Sequence, residues 1–308
     1  MVTTWLITHP QCLEHDAGTG HPESAARLQA ILQALQHATF EYVLREEAPL
    51  ATVEQLELAH DPTYVRSLLD SVPAEGARHI DPDTRLCPAT GEAARRAAGA
   101  VCHGVDGVLS GKAQRVFCAV RPPGHHAEPD RAMGFCFFNN IAVGAGHAVA
   151  HYGLQRVAMI DFDVHHGNGT EAISRGRPGF YYFSTHQHPL FPGTGTPGSD
   201  APANIVNATL ADGDGSEAFR EAFTGTILPA LEDLQPELIL ISAGFDAHRS
   251  DPLATLQLDE TDFAWATREL VDVAKRHCQG RVVSVLEGGY NTSVVGRCAA
   301  AHLEALMM

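Results

Sequence analysis

Five short apolar runs constrain this chain more than any other feature: Val116–Val120, Val157–Ile160, Phe180–Phe183, Leu238–Ile241 and Val282–Leu286. Each is continuously hydrophobic rather than alternating, the pattern of a strand buried on both faces. Thr3–Thr8 reads as a further strand. Helical periodicity falls over Glu23–His37, Asp61–Val72, Gly91–Leu109, Asn139–Tyr152, Ser216–Leu234, Glu260–Cys278 and Asn291–Met307. Strands that alternate with helices through most of a chain form a mostly parallel sheet with helices on both faces, an α/β fold. Residues 73–90 and the Gly/Pro stretch 186–199 read as loops. No repeat, low-complexity tract or composition break marks a linker, so a single domain over residues 1–308 is expected.

In an open parallel sheet, ligands bind beyond the carboxyl ends of the strands. The first of the five runs is followed by Arg121-Pro122-Pro123-Gly124-His125-His126 and the second by Asp161-Phe162-Asp163-Val164-His165-His166. The third leads into Ser184-Thr185-His186, the fourth into Ser242-Ala243-Gly244-Phe245-Asp246, and the fifth into Glu287-Gly288-Gly289-Tyr290. Taken singly, each group has an ordinary structural explanation: a surface His-His pair, an Asp capping a helix, a Tyr anchoring a loop. Their joint occurrence at strand ends favours a site. Side chains alternate along a strand, so extended backbone places Asp161, Asp163 and His165 on one side, and His166 faces away as a structural residue. Carboxylates and an imidazole gathered there are unfavourable without a cation.

Carboxylate and imidazole donors without thiolate suit Zn²⁺, Fe²⁺ or Mn²⁺. Asp163, His165 and Asp246 supply the three protein ligands of a catalytic site with an open position. His125 and His126 remain free to move a proton, and Tyr290 to polarise a carbonyl. The set implies metal-assisted amide hydrolysis.

The totals narrow the setting. With 37 acidic against 21 basic residues, for a net charge of -16, the chain repels nucleic-acid phosphates and suits a cationic partner. The seven cysteines form no CxxC pair, which argues against a disulfide framework and for a reducing compartment. The N-terminus lacks a secretory pattern, and no apolar run approaches the ~20 residues that span a bilayer. A cytoplasmic protein without membrane attachment is expected. A homo-oligomer is allowed, no interface being legible.

The segments RPPGHHA, GFCFFNN, DFDVHHGNGT, HPLFPGTG, GFDAH…DPL and LEGGY, in that order, resemble the zinc-dependent histone deacetylases of the arginase/deacetylase superfamily. The resemblance covers nearly the whole chain from about His15, and it is closest to the class II branch and its bacterial relatives, since Asn168 stands where class I enzymes carry aspartate. It implies Zn²⁺ on Asp163, His165 and Asp246, with Fe²⁺ as the alternative. It implies that Asp161 and Asn168 orient His125 and His126, that His126 is the general base, and that Tyr290 donates to the substrate carbonyl. It further implies a structural K⁺ held by Asp161 and Ser184 with backbone oxygens of Asp163, His165 and Thr185. Gly134, Phe135, Phe191, Leu253 and Gly288 would contact an acyl-lysine side chain, and Asp83, rather than Asp81, would hold the substrate backbone.

Tyr290 is tyrosine where weakly active class IIa enzymes have histidine, which implies real deacetylase activity. Leu253 is apolar where polyamine-selective relatives carry a glutamate, which favours neutral acyl-lysine or acylated small amines over a substrate with a second cationic nitrogen. Asp246-Ala247-His248 is not the Asp-x-Asp of binuclear manganese ureohydrolases. The alternatives are a deacetylase of small acetylated amines, such as acetylpolyamines, and an acyl-lysine binding module without catalysis.

Overall fold

The computed structural model describes residues 2–196 and 201–308, so the last residues of the Gly/Pro stretch, 197–199, lie outside it. Eight strands form the main sheet: β1 (Thr4–Thr8), β2 (Leu44–Glu47), β3 (Arg115–Cys118), β4 (Arg156–Asp161), β5 (Gly179–Gln187), β6 (Ile205–Leu210), β7 (Leu238–Ala243) and β8 (Val282–Leu286). Their order is β2-β1-β3-β8-β7-β4-β5-β6, and every neighbouring pair is parallel. All eight carboxyl ends therefore share one edge. The five apolar runs singled out above become β3, β8, β7, β4 and β5, five adjacent strands at the middle of that order.

Two strands are not apparent from the apolar pattern, β2 and β6, and both are sheet edges. An edge strand is half open to solvent and need not be continuously apolar. The β2 sequence LREE is mostly exposed, and β6 mixes buried with half-buried positions.

Helices cover both faces, and the alternation of side chains along the strands proves it. Helix Thr90–Leu109 approaches Val116 of β3 and Val283 of β8 through Gly104, where a Cβ would stand 3.1 Å and 2.9 Å from their methyl groups. Helix Val295–Leu306 instead presents His302 to the next residue of each strand. Its ring stacks edge-on against Phe117 at 5.2 Å, and its Nε2 lies 2.8 Å from the Ser284 hydroxyl. Helix Glu260–His277 joins this second layer, packed on Val295–Leu306, which also packs on Ala25–Ala34.

The helix expected over Ser216–Leu234 is present but widens into a π turn at Phe223–Ile227. Pro229, which has no N–H to donate, lies just beyond that turn, where regular helical bonding is already relaxed. The loop 73–90 contains a two-residue hairpin pairing Arg78–His79 with Arg85–Leu86.

Candidate active site

Asp161 is the last residue of β4, so strand alternation places only this first member of the acidic cluster. Beyond it the chain turns twice on its own carboxylates. Asp163 N–H donates to Asp161 Oδ1 (3.1 Å), and His165 N–H donates to Asp163 Oδ1 (2.9 Å). These side-chain turns, not continued strand, bring the residues together. That corrects the expected extended backbone while leaving the cluster intact.

His165 Nδ1 lies 3.1 Å from Asp163 Oδ1 and 3.1 Å from Asp246 Oδ2. One donor atom from each of Asp163, His165 and Asp246 falls within 4.8 Å of the others, and all three residues are buried. Val164 N–H holds Asp246 Oδ1 (3.0 Å), and Gly288 N–H holds Asp163 Oδ2 (2.8 Å). Burial alone pulls His165 down, but its hydrogen bonds to the two carboxylates and their charges outweigh it and raise the imidazole to about 10. Two buried carboxylates thus demand a positive charge at that point. The all-N/O donor set fits a divalent cation such as Zn²⁺ or Fe²⁺.

A second trio, His248, Glu260 and Cys298, has donor atoms equally close. There Ser250 N–H donates to His248 Nδ1 (3.1 Å), so Nε2 carries the proton and is not free to bind a metal.

The tandem histidines sit between β3 and the helix Asn140–Tyr152. His125 Nδ1 lies 3.0 Å from Asp161 Oδ2, which also accepts from the Tyr182 hydroxyl (3.2 Å). His126 Nδ1 lies 2.8 Å from Asn168 Oδ1, and Asn168 Nδ2 donates to Glu128 Oε1 (2.8 Å). The environments push the two rings apart. Burial opposes charge on both, yet the carboxylates of Asp163, Asp161 and Glu287 raise His125 well above its ordinary value. His126 is driven well below it by burial and by the charges of His125 and His165. The two surroundings thus favour charge on His125 and the neutral form of His126.

A cavity of about 260 Å³ opens over this centre. His126, His165 and Tyr290 lie in its wall, as do Gly134, Phe135, Leu190, Phe191 and Leu253, with Asp83 exposed at its mouth. A larger cavity, about 370 Å³ around Thr3, Gly111 and Arg281, sits at the opposite end of the sheet and has no carboxylate or imidazole in its wall. Phe135 has φ 67°, in the left-handed region, and its N–H bonds the Thr84 hydroxyl (3.2 Å), which in turn donates to Asp83 Oδ1 (3.2 Å). The ring of Phe191 meets that of His126 edge-on at 5.1 Å. Gly288, expected to contact substrate, is absent from the cavity wall. A Cβ there would run into the carboxylates of Asp163 and Asp246, so this glycine serves the metal-ligand cluster from behind.

Ser184 is the register partner of Asp161. His186 Nε2 faces the Gly195 carbonyl (3.1 Å) and must donate to it, so His186 Nδ1 accepts the Ser184 hydroxyl proton (2.9 Å). The lone pairs of Ser184 are left for a cation, and the buried Thr185 hydroxyl has no partner. An oxygen of Ser184 so directed, beside Asp161, fits a cation at the expected position.

Three contributors were not singled out from sequence. Asp251, within the DPL segment, accepts from Tyr290 N–H (2.7 Å) and Leu253 N–H (3.1 Å), anchoring two cavity residues. Arg27 lies 4.6 Å from the centre of the Tyr290 ring and donates to the Glu287 carbonyl (2.6 Å). Glu128 carries no signal in the sequence, because its part in the site is a single hydrogen bond from Asn168.

Fold and site define a class: an open parallel sheet whose central strand ends carry a trio of residues able to hold a metal ion, paired histidines and a tyrosine. The chain belongs to the histone deacetylase domain family, whose profile matches residues 21–306. A histone deacetylase-like amidohydrolase of Pseudomonas aeruginosa is 40% identical over 298 residues, covering 94% of this chain and 78% of its own. An uncharacterized protein of Synechocystis sp. is 37% identical over 307 residues, 98% of this chain and 99% of its own. A crystal structure of the HDA15 HD domain aligns with a TM-score of 0.92 at 32% identity, covering 99% of this chain and 88% of that one.

Proposed function

We propose that the chain, as one catalytic domain over residues 1–308, is a metal-dependent deacetylase that hydrolyses the amide of an acetylated or related acyl-lysine side chain. One observation carries the reading: His165 of the Asp163–His165–Asp246 trio, the His126 imidazole and Tyr290 line one apolar cavity. A divalent cation there, Zn²⁺ or on the same donors Fe²⁺, supplies Lewis acidity to the carbonyl and to the attacking water. His126, neutral at working pH, accepts the proton of that water. The Tyr290 hydroxyl, kept protonated by burial, donates to the carbonyl oxygen as charge develops on it. Asp161 holds His125 as a cation beside the reaction. The collected proton passes to the departing nitrogen and the second proton of the water follows as the acid ionises, so amide and water give carboxylate and ammonium.

Gly134, Phe135, Phe191 and Leu253 enclose the acyl-lysine chain, and Asp83 accepts from the substrate backbone at the mouth. K⁺ on Asp161, Asp163, His165, Ser184 and Thr185 stiffens the carboxyl ends of β4 and β5. The acidic surface disfavours nucleic acid, no helix among the described residues is long and apolar enough to cross a membrane, and a cytoplasmic site of action follows from the free cysteines.

Acetate release from an acetyl-lysine peptide, with a hydroxamate as inhibitor, tests the reading. No bound metal together with no turnover would sink it. Leu253 in the cavity wall favours acyl-lysine over small acetylated amines with a second cationic nitrogen, and kcat/KM for the peptide against acetylputrescine measures that preference directly. Tight peptide binding without acetate release would point to a binding module instead.

A further inference from the structure

We propose that Glu287 is a positioning residue for the tandem histidines, a clamp on the backbone of their turn that touches neither substrate nor metal ligand. The role rests on the deacetylase reading above. Glu287 follows the last residue of β8, and its side chain is fully buried. Oε2 accepts two consecutive amides, Gly124 N–H (2.7 Å) and His125 N–H (3.1 Å). Oε1 accepts the Ser242 hydroxyl of β7 (3.2 Å).

The need for such a clamp follows from the topology. β3 ends at Cys118, and the chain then leaves the sheet to cross the carboxyl end of β8. Past that point the ladder offers Gly124 and His125 no acceptor, and two buried amides without partners are strongly unfavourable. A carboxylate facing two successive N–H groups satisfies both and fixes the direction in which the following side chains leave the backbone. The turn has no slack to relax otherwise, since a Cβ at Gly124 would stand 2.5 Å from Asn140 N and 2.8 Å from the Phe138 carbonyl.

The backbone of Glu287 extends the same function. Its N–H donates to the Ala243 carbonyl, three residues before Asp246. The next amide, Gly288 N–H, holds Asp163. Glu287 and the amide that follows it thus tie the histidine turn to the end of β7 that leads to Asp246 and to the Asp163 carboxylate, and so set where His126 stands relative to the trio. Burial raises the carboxyl to about 7, and its oxygen accepts the amides in either protonation state.

Two substitutions separate this clamp from a bulk packing role. Glu287→Met is close in size and leaves both amides orphaned. Glu287→Gln keeps an oxygen for them and turns its NH₂ toward the Ser242 hydroxyl. Both proteins are measured, beside the wild type, for metal content, for kcat and KM on an acetyl-lysine peptide, and for amide hydrogen exchange. The expected result for Glu287→Met is a kcat lower by about 100-fold, with KM and metal content retained and faster exchange confined to the segment 119–127. Glu287→Gln should recover most of kcat and of the protection. Wild-type kcat and protection in Glu287→Met would overturn the clamp. So would a Gln variant, folded and metal-loaded, that is as impaired as the Met variant, and this second comparison decides alone if Glu287→Met does not fold. A wild-type protein without turnover would overturn the deacetylase reading itself, a result the exchange pattern keeps distinct.

Discussion

The Nδ1 of His126 stands 2.8 Å from the amide oxygen of Asn168, and this contact decides which ring nitrogen faces the cavity. Glu128 Oε1 accepts a hydrogen bond from the Asn168 amide nitrogen, so the amide oxygen points at His126. An amide oxygen only accepts, hence Nδ1 carries the proton and Nε2 keeps its lone pair. Asn168→Leu removes the constraint and frees the other tautomer. The expected loss is about 10- to 100-fold in kcat with KM little changed, read by steady-state kinetics on an acetyl-lysine peptide. A variant with full kcat would show that the tautomer is set elsewhere.

Tyr290 is held by contacts that do not involve its hydroxyl. Asp251 takes its N–H, its ring meets Phe135 edge-on at 5.8 Å, and Arg27 lies against the other side. Tyr290→Phe therefore preserves packing and removes one donor. A fall of about 100- to 1,000-fold in kcat is expected, with the melting temperature close to that of the wild type. A parallel loss of thermal stability would mean that the hydroxyl serves the fold as well.

The centre of the sheet was legible in the sequence because strands buried on both faces leave continuous apolar runs, and the site because its residues follow those runs directly. What escaped did so for physical reasons. β2 and β6 are edges, where LREE and IVNATL satisfy one open side and carry no distinctive pattern. The turns that gather Asp163 and His165 depend on a carboxylate bonding the amide two residues on, and that geometry is compatible with the same letters read as strand. The family resemblance placed Gly288 against substrate, but its lack of a side chain matters because two carboxylates lie behind it. Asp251 and Glu287 act through distant backbone amides, a relationship that spacing along the chain does not encode.

Removing the metal should cost stability as well as activity. Asp163 and Asp246 are buried around one imidazole, and without a metal ion their charge is offset by a proton on His165 and, for Asp163, by His125 as well. Dialysis against a strong chelator should abolish turnover and lower the melting temperature. Zn²⁺ or Fe²⁺ should restore both, with a stabilisation of about 4 kcal/mol when free metal exceeds its Kd a thousandfold. Asp246→Asn should bind less than one equivalent by elemental analysis. A chelated protein with unchanged melting temperature would mean that the trio does not need the ion to fold.

Acid should weaken the fold from beneath the histidine turn. His60 Nδ1 bonds the Glu128 carbonyl (2.9 Å), and its Nε2 accepts Asn139 N–H (2.8 Å), so the neutral ring has both nitrogens occupied. Asn139 caps the helix Asn140–Tyr152 and donates to the Ala127 carbonyl just past His126. Burial pushes His60 down to about 4, against about 6.5 in an unfolded chain. Because the folded value is the lower one, the unfolded state binds more protons between these limits. The contribution of His60 is thus complete above pH 6.5 and is lost as pH falls toward 4, a change of about 3 kcal/mol. Buried His186 and His302, each lowered to about 3, act with the same sign. Urea midpoints should drop between pH 7 and pH 5, and His60→Gln, which cannot take up that proton, should show a smaller drop than the wild type. An equal pH dependence in the two proteins would assign the acid sensitivity to other groups.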